Sequence, residues 1–288
     1  MRVGLLDTLL TDHLLFWQTF LAELGVLEEL PADLEPDYRT GATLLPQEPS
    51  PVQLAIGRLH RLLRCDAVLI PQLSPQLQDQ DELNGNPWVV DFAATASVRF
   101  SLPHLVSVDP AAAGESLKSL AVSLGLRWSQ PVRVRRALER SYPRAQGRAA
   151  RPDWAGLGRA VGLLGPRYLL EQPWLYHGLL EQLAQLGLRP LPGHLADPAR
   201  SLELGRRLVP GLREAPELEV AGQRAQLELR SAVRALIWLL PERLPVSRAL
   251  GDWMAKPRSD KPLLKLPIDQ PEAGGDPLLL EDLAARIR

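Results

Sequence analysis

The feature that most constrains this 288-residue chain is one short pattern that occurs twice. Met1-Arg-Val-Gly-Leu-Leu6 returns as Arg159-Ala-Val-Gly-Leu-Leu164, 158 residues later, and Leu21-Ala-Glu-Leu-Gly25 returns as Leu183-Ala-Gln-Leu-Gly187, 162 residues later. The first piece of each pair reads as a short buried strand. The second reads as the end of an amphipathic helix stopped by glycine. The loop between them is four residues longer in the second copy, and each unit then reaches a proline, Pro31 in one and Pro190 or Pro192 in the other. A strand, a loop and a helix repeated in the same order imply a duplicated unit.

The remaining apolar segments extend this grammar. Val26–Leu30 is expected as a second strand, Pro51–Leu63 as a helix, and Ala67–Ile70 as a continuous apolar strand of the kind a parallel sheet covers on both faces. A polar loop is expected over 72–87, then extended pieces at Trp88–Phe92 and His104–Val108. Helices follow at Ser116–Leu124, closed by Gly125, and at Val132–Tyr142, with a hinge over 147–152. After the second copy, Ala199–Val209 and Gln223–Leu240 read as helices, Leu263–Ile268 as a strand and Leu278–Arg286 as a closing helix. The expected class is α/β, with two Rossmann-like doubly wound units facing across a cleft. They occupy 1–126 and 159–288, the second with a C-terminal strand and helix, and are joined by an arginine-rich helical connector over 127–158.

Charge is distributed unevenly behind a net of -1. Residues 1–126 carry 7 basic and 16 acidic side chains, 127–167 carry 10 arginines against Glu139 and Asp153, and the rest is balanced at 16 of each. The acidic first part and the basic segment beside it predict mutual contact. The one cysteine, Cys65, permits no disulfide within the chain and no multi-cysteine metal site. It reads as a structural thiol rather than a nucleophile. No apolar run reaches the ~18 residues of a membrane span, and acidic residues interrupt any signal-peptide core, so a cytoplasmic location is expected. His60, His104, His177 and His194 stand alone, without zinc-ligand spacing, and no metal is expected.

Four islands carry a resemblance: MRVGLLDTLLTDHLLFWQTFLAELGV, CDAVLIPQL, VGLLGPRYLLEQPWLYHGLLEQLAQLGLRPL and KPLLKLPIDQPEAGGDPLLLEDLAARI. In order and spacing they resemble proteins related to the D-component of 2-hydroxyacyl-CoA dehydratases, also described as acyl-CoA dehydratase activase-related. The resemblance implies Rossmann-like domains with a site in the cleft between them, and an iron–sulfur cluster on several cysteines. This chain departs from that pattern. No cysteine occurs near Glu48-Pro-Ser-Pro51 or in the Asn84–Pro87 loop, and Asp269-Gln-Pro271 stands where the family has Asp-Glu-His, although Glu272-Ala-Gly274 remains. A cluster needs about three or four ligands, so no cofactor is expected and the family's cluster is judged absent.

Candidate site residues follow from position. The Asp7–His13 loop sits at the carboxyl end of the first strand, where doubly wound folds bind ligands. Asp12 and His13 there suit either an acid–base pair or a helix cap. The equivalent Gly165–Glu171 loop offers Arg167 for a phosphate or carboxylate and Tyr168 for stacking or a hydrogen bond, with capping and packing as equal alternatives. Asp269 and Glu272 join these as ligand-binding candidates. The primary expectation is a cluster-less ligand-binding or assembly protein. Its partner would be a larger dehydratase/activase-family protein or a small acidic ligand, with neither nucleic acid nor membrane. The alternatives are an enzyme of different chemistry in the same cleft, and nucleic-acid binding through Arg133, Arg135, Arg136, Arg140 and Arg144 in the 133–148 segment.

Overall fold

A computed structural model describes residues 1–9, 13–71, 88, 91–102, 104–108, 116–145, 159–212, 215–241, 243, 246–268, 271 and 274–287. The chain is mixed α/β, with parallel sheets flanked by helices, and divides into two compact units, Met1–Arg148 and Ala149–Arg288. In the first, β1 (Val3–Leu5) pairs with β2 (Ala67–Pro71), and β2 pairs with β3 (His104–Val108), all in parallel. The helices of this unit are α1 (Leu14–Leu24), α2 (Glu35–Leu44), α3 (Ser50–Arg61), α4 (Phe92–Arg99), α5 (Leu117–Trp128) and α6 (Pro131–Ala145).

The second unit carries β4 (Ala160–Leu164), β5 (Arg189–Pro192), β6 (Val233–Pro241) and β7 (Leu263–Ile268) in the order β5-β4-β6-β7, again all parallel. Its helices are a single turn α7 (Arg167–Leu170), then α8 (His177–Gln185), α9 (Pro198–Leu208), α10 (Ala215–Glu228), α11 (Arg248–Ala255) and α12 (Pro277–Arg286). Among the described residues the two units share a core order of elements: strand, helix, paired strand, helical hairpin, strand, helix, strand, helix; the first adds α6 at its end and the second the single turn α7 after its first strand. In the first unit the paired strand is reduced to a parallel bridge between Val3 and Leu27, so the strand expected at Val26–Leu30 is one residue pair long.

The repeated Val-Gly-Leu-Leu has a physical reason in both copies. A Cβ on Gly4 would sit 2.7 Å from a methyl of Leu62, and one on Gly162 would sit 2.9 Å from a methyl of Leu227. Leu62 follows α3 and Leu227 belongs to α10, the second helices of the two hairpins. The hairpins themselves are locked by glycine. A Cβ on Gly41 or Gly57 would fall 1.6 Å from the Gln53 carbonyl oxygen or 1.7 Å from that of Asp37. A Cβ on Gly205 or Gly222 would fall 2.0 Å from the Leu218 oxygen or 1.9 Å from that of Ser201. Helix α2 thus meets α3 at backbone contact, as α9 meets α10, and the reciprocal contacts align Asp37 with Ser201 and Arg58 with Gln223.

The other face of the first sheet is covered by α1, α5 and α6. Val3, Leu5 and Leu69 pack with Phe16, Trp17, Phe20, Ala121, Leu124, Val134, Ala137 and Leu138 in one core. Helix α6 is therefore part of the first unit: its apolar stripe is buried, while Arg140 reaches Glu23 at 2.8 Å. That is the predicted contact between acidic and basic segments, and it lies within the compact unit Met1–Arg148.

Three local expectations are corrected. Gly125 does not end a helix; α5 runs through it to Trp128, because the missing side chain admits Phe20 and Val134 at 2.9 and 3.0 Å from its would-be Cβ. Trp88–Phe92 is not extended: Phe92 opens α4, whose N-cap Asp91 accepts from the Ala94 amide. Gln223–Leu240 is not one helix; α10 ends at Glu228, and Val233–Pro241 is the longest strand of the second sheet. A fully buried strand is apolar on both faces, so its periodicity cannot separate it from a buried helix. The sequence pattern gives no signal for helices α2, α4, α7 and α11, and the expected hinge and the 72–87 loop lie outside the described residues.

Candidate functional site

The carboxyl ends of the two sheets are built from equivalent positions with opposite chemistry. In the first unit Asp7 leaves β1 and meets Arg58 of α3 through two hydrogen bonds, Nε to Oδ1 at 3.0 Å and Nη2 to Oδ2 at 2.6 Å. Nη1 of Arg58 also donates to the Pro31 carbonyl at 2.7 Å and to Asp37 Oδ2 at 2.9 Å. Arg61 completes the group on Asp37. Arg58 and Asp37 are almost fully buried, at 3% and 2% side-chain exposure. Burial alone would pull the Arg58 pKa down, but the hydrogen bonds and charges of Asp7 and Asp37 outweigh it and hold the guanidinium above its usual value. These four side chains satisfy one another.

In the second unit every charge of that cluster is replaced by a neutral group. Gly165 stands for Asp7, Ser201 for Asp37, Gln223 for Arg58 and Gln226 for Arg61. Gln226 Nε2 donates to Ser201 Oγ at 2.7 Å. Gln223 is fully buried, and its Oε1 accepts the Gly165 amide at 3.2 Å, which fixes the amide's orientation. Its Nε2 donor has no hydrogen-bond partner among the described residues. Close by, β5 ends in the turn Gly193–Leu195, whose Gly193 would place a Cβ 2.6 Å from Gln223 Oε1. The next residue, His194, has a buried Nδ1 that also lacks a partner among the described residues. Glu219, buried, lies one helical turn from Gln223 on α10.

Burial and, second, the positive charge of Arg167 lower the His194 pKa to about 4. The imidazole is therefore neutral at pH 7. The sign is that of a histidine kept neutral by folding: the unfolded chain takes up a proton below about 6.5 and the folded one does not. Stability is complete above that pH and falls as pH drops towards 4. The expected loss is about 2 kcal/mol by pH 5. His194→Leu should flatten this part of the profile in urea melts followed from pH 7 to 5; an unchanged slope would count against the buried neutral state.

The residues anticipated from sequence fare differently. Arg167 opens α7 directly beyond β4, and its Nε donates to Glu171 at 2.5 Å, so its charge is balanced within the loop. Tyr168 is buried beside it, 6% exposed. His13 is exposed, at the N-cap of α1 with φ 58°, and makes no side-chain capping bond. Asp12, Asp269 and Glu272 lie outside the described residues. Their neighbours tie the C-terminal segment to α8: Pro271 accepts from Gly178, and Gly275 exchanges two hydrogen bonds with the Gln182 amide. In the basic segment, Arg135 is paired with Glu139 at 3.1 Å and Arg140 with Glu23. Arg133 and Arg136 are exposed on α6, and the Arg144 side chain lies outside the described residues. Cys65 is a free, buried thiol pushed above its usual pKa by burial and, next, by Glu28.

Sequence pattern does not single out His194, Gln223 or Glu219. A lone histidine and amide-bearing helix residues carry no motif; only the alignment of Gln223 with Arg58 through the paired glycines, itself visible after folding, marks the position. Among the described residues no group of three or more His, Cys, Asp or Glu side chains could hold a metal ion, and no helix is long and apolar enough to cross a membrane. No protein-family model, curated protein or solved structure matches the chain.

Proposed function

We propose that this chain is a ligand-binding protein built from two Rossmann-like units, and that its second unit takes a small carboxylate at the carboxyl edge of the sheet. The observation that carries this reading is the pair of buried nitrogens without a partner among the described residues, Gln223 Nε2 and His194 Nδ1, the latter within reach of the Arg167 charge. A buried donor left unsatisfied costs about 1–3 kcal/mol, and a bound acceptor recovers it. Arg167 supplies the charge, exchanging Glu171 for the ligand's carboxylate. The strand order and the parallel direction support the doubly wound assignment, because such sheets bind ligands beyond their carboxyl ends. The first unit, whose equivalent edge is filled by the Asp7–Arg58–Asp37–Arg61 cluster, takes a supporting role.

The chain is read further as a cluster-less relative of the dehydratase D-component proteins, on the four islands of resemblance and the single cysteine. One titration tests both points on protein purified without oxygen. Acetate, lactate, malate and citrate serve as probes by calorimetry, and Arg167→Ala should weaken the best of them by about 10- to 100-fold, the worth of a charged hydrogen bond. No heat from any probe, or equal affinity in the variant, would sink the binding reading. Stoichiometric iron and sulfide in the same preparation would sink the cluster-less one.

A further inference from the structure

A second feature of the same unit is independent of Arg167 and His194. A cavity of about 620 Å³ lies beside the edge strand β7, lined by Trp238 of β6, Lys265 of β7, the end of α11, the 256–262 segment, Arg224 of α10 and Arg286 of α12. Among the described residues its lining holds six cations, Arg224, Lys256, Arg258, Lys261, Lys265 and Arg286, and one acid, Asp260. Glu228 pairs with both Arg224 and Arg258, and Asp282 with Arg286. Counting these three acids leaves an excess of three positive charges around one cavity.

Besides those ion pairs, four of the cations, Arg224, Arg258, Lys261 and Lys265, are held by carbonyls or aromatic rings, which do not neutralise them. Arg224, buried, donates to the carbonyls of Met254 at 2.9 Å and Lys256 at 2.7 Å. Lys261 Nζ caps the end of α10, donating to the carbonyls of Glu228 at 2.6 Å and Arg230 at 2.5 Å. Arg258 and Arg224 each sit 4.9 Å from the Trp253 ring, and Lys265 sits 5.3 Å from that of Trp238. Carbonyl and aromatic partners orient a cation and leave its charge available. A preorganised group of this kind loses little entropy when an anion arrives.

We propose that this cavity binds a small molecule carrying two or more phosphate groups. The volume falls within the roughly 300–1,000 Å³ of small-molecule sites. A charge excess of three favours a polyanion over a single carboxylate, and guanidinium and ammonium donors suit phosphate oxygens. Magnesium-free ATP and inorganic pyrophosphate are the probes, titrated by calorimetry at low and high salt. Binding should weaken as salt rises. It should fall at least tenfold in Lys256→Glu/Arg286→Glu, whose side chains are exposed at helix ends, and stay unchanged in Arg167→Ala. Lys256→Glu alone should show a smaller loss in the same direction if the double variant is poorly folded. Absence of binding at low salt, or full affinity in folded charge-reversed protein, overturns the proposal. Phosphorylated lipid headgroups share this chemistry, so flotation with phosphatidylinositol-bisphosphate vesicles completes the test. Vesicle binding without ATP or pyrophosphate binding overturns the small-molecule assignment.

Discussion

Arg58→Gln should destabilise the first unit by about 3–5 kcal/mol, the cost of leaving a buried charge without its partner. Asp37 is 2% exposed and would keep only Arg61, itself 37% exposed, while Asp7 would lose both hydrogen bonds at 3.0 and 2.6 Å. The second unit shows how the same site is built without charge. The fourfold change Asp7→Gly, Asp37→Ser, Arg58→Gln and Arg61→Gln transplants its composition, and should be more stable than Arg58→Gln alone, since no buried ion remains. Amide hydrogen exchange read separately on α2, α3, α9 and α10 of the full chain locates the effect, with the second unit as the internal reference. A single variant as stable as the parent would show that the ion cluster contributes no net stability. A fourfold variant worse than the single one would show that the neutral network depends on its own surroundings.

Gly57→Ala and Gly222→Ala should each cost about 3 kcal/mol or more, at the upper end of what overpacking does. The added methyl would meet a backbone carbonyl oxygen at 1.7 Å in one hairpin and 1.9 Å in the other. A side chain can rotate away from such a contact; a carbonyl inside a helix cannot, so the two helices must separate along their length. Gly251 is the control. It lies within α11 with nothing inside 4 Å of its would-be Cβ, and Gly251→Ala should be neutral or stabilising by up to about 1 kcal/mol through helix propensity. Denaturant melts of the three variants give the comparison, and similar midpoints for all three would refute the close packing of the hairpins.

Much of the framework was legible in the residues themselves. The recurrence of Val-Gly-Leu-Leu and of Leu-Ala-x-Leu-Gly marked the two units, and β1, α1, α3, β2, β3, α6, β7 and α12 fall close to where apolar pattern and glycine or proline punctuation placed them. The failures have separate causes. Glycine ends many helices, so Gly125 suggests a stop, whereas here it admits a neighbouring helix. Val233–Pro241 continues the apolar run of the helix before it, and its periodicity carries no information once both faces are buried. Helix α2 carries no apolar signal because its sequence is mostly polar, and its packing relies on Gly41 rather than on an apolar stripe.

The site was less legible. The position of Arg167 beyond β4 followed from topology, since a loop leaving a parallel strand must start at the strand's carboxyl end. The partners did not. Gln223 lies 58 residues from the Gly165 amide it accepts, and Arg58 lies 51 residues from Asp7. Nothing local distinguishes these side chains from solvated ones. By itself the sequence determined that the chain is mixed α/β, because strand pattern and glycine spacing are properties of neighbouring residues. Only the tertiary structure decided which edge is closed by ions and which holds nitrogens without a partner among the described residues. Desolvation and hydrogen-bond satisfaction depend on what distant segments bring to the same few ångströms.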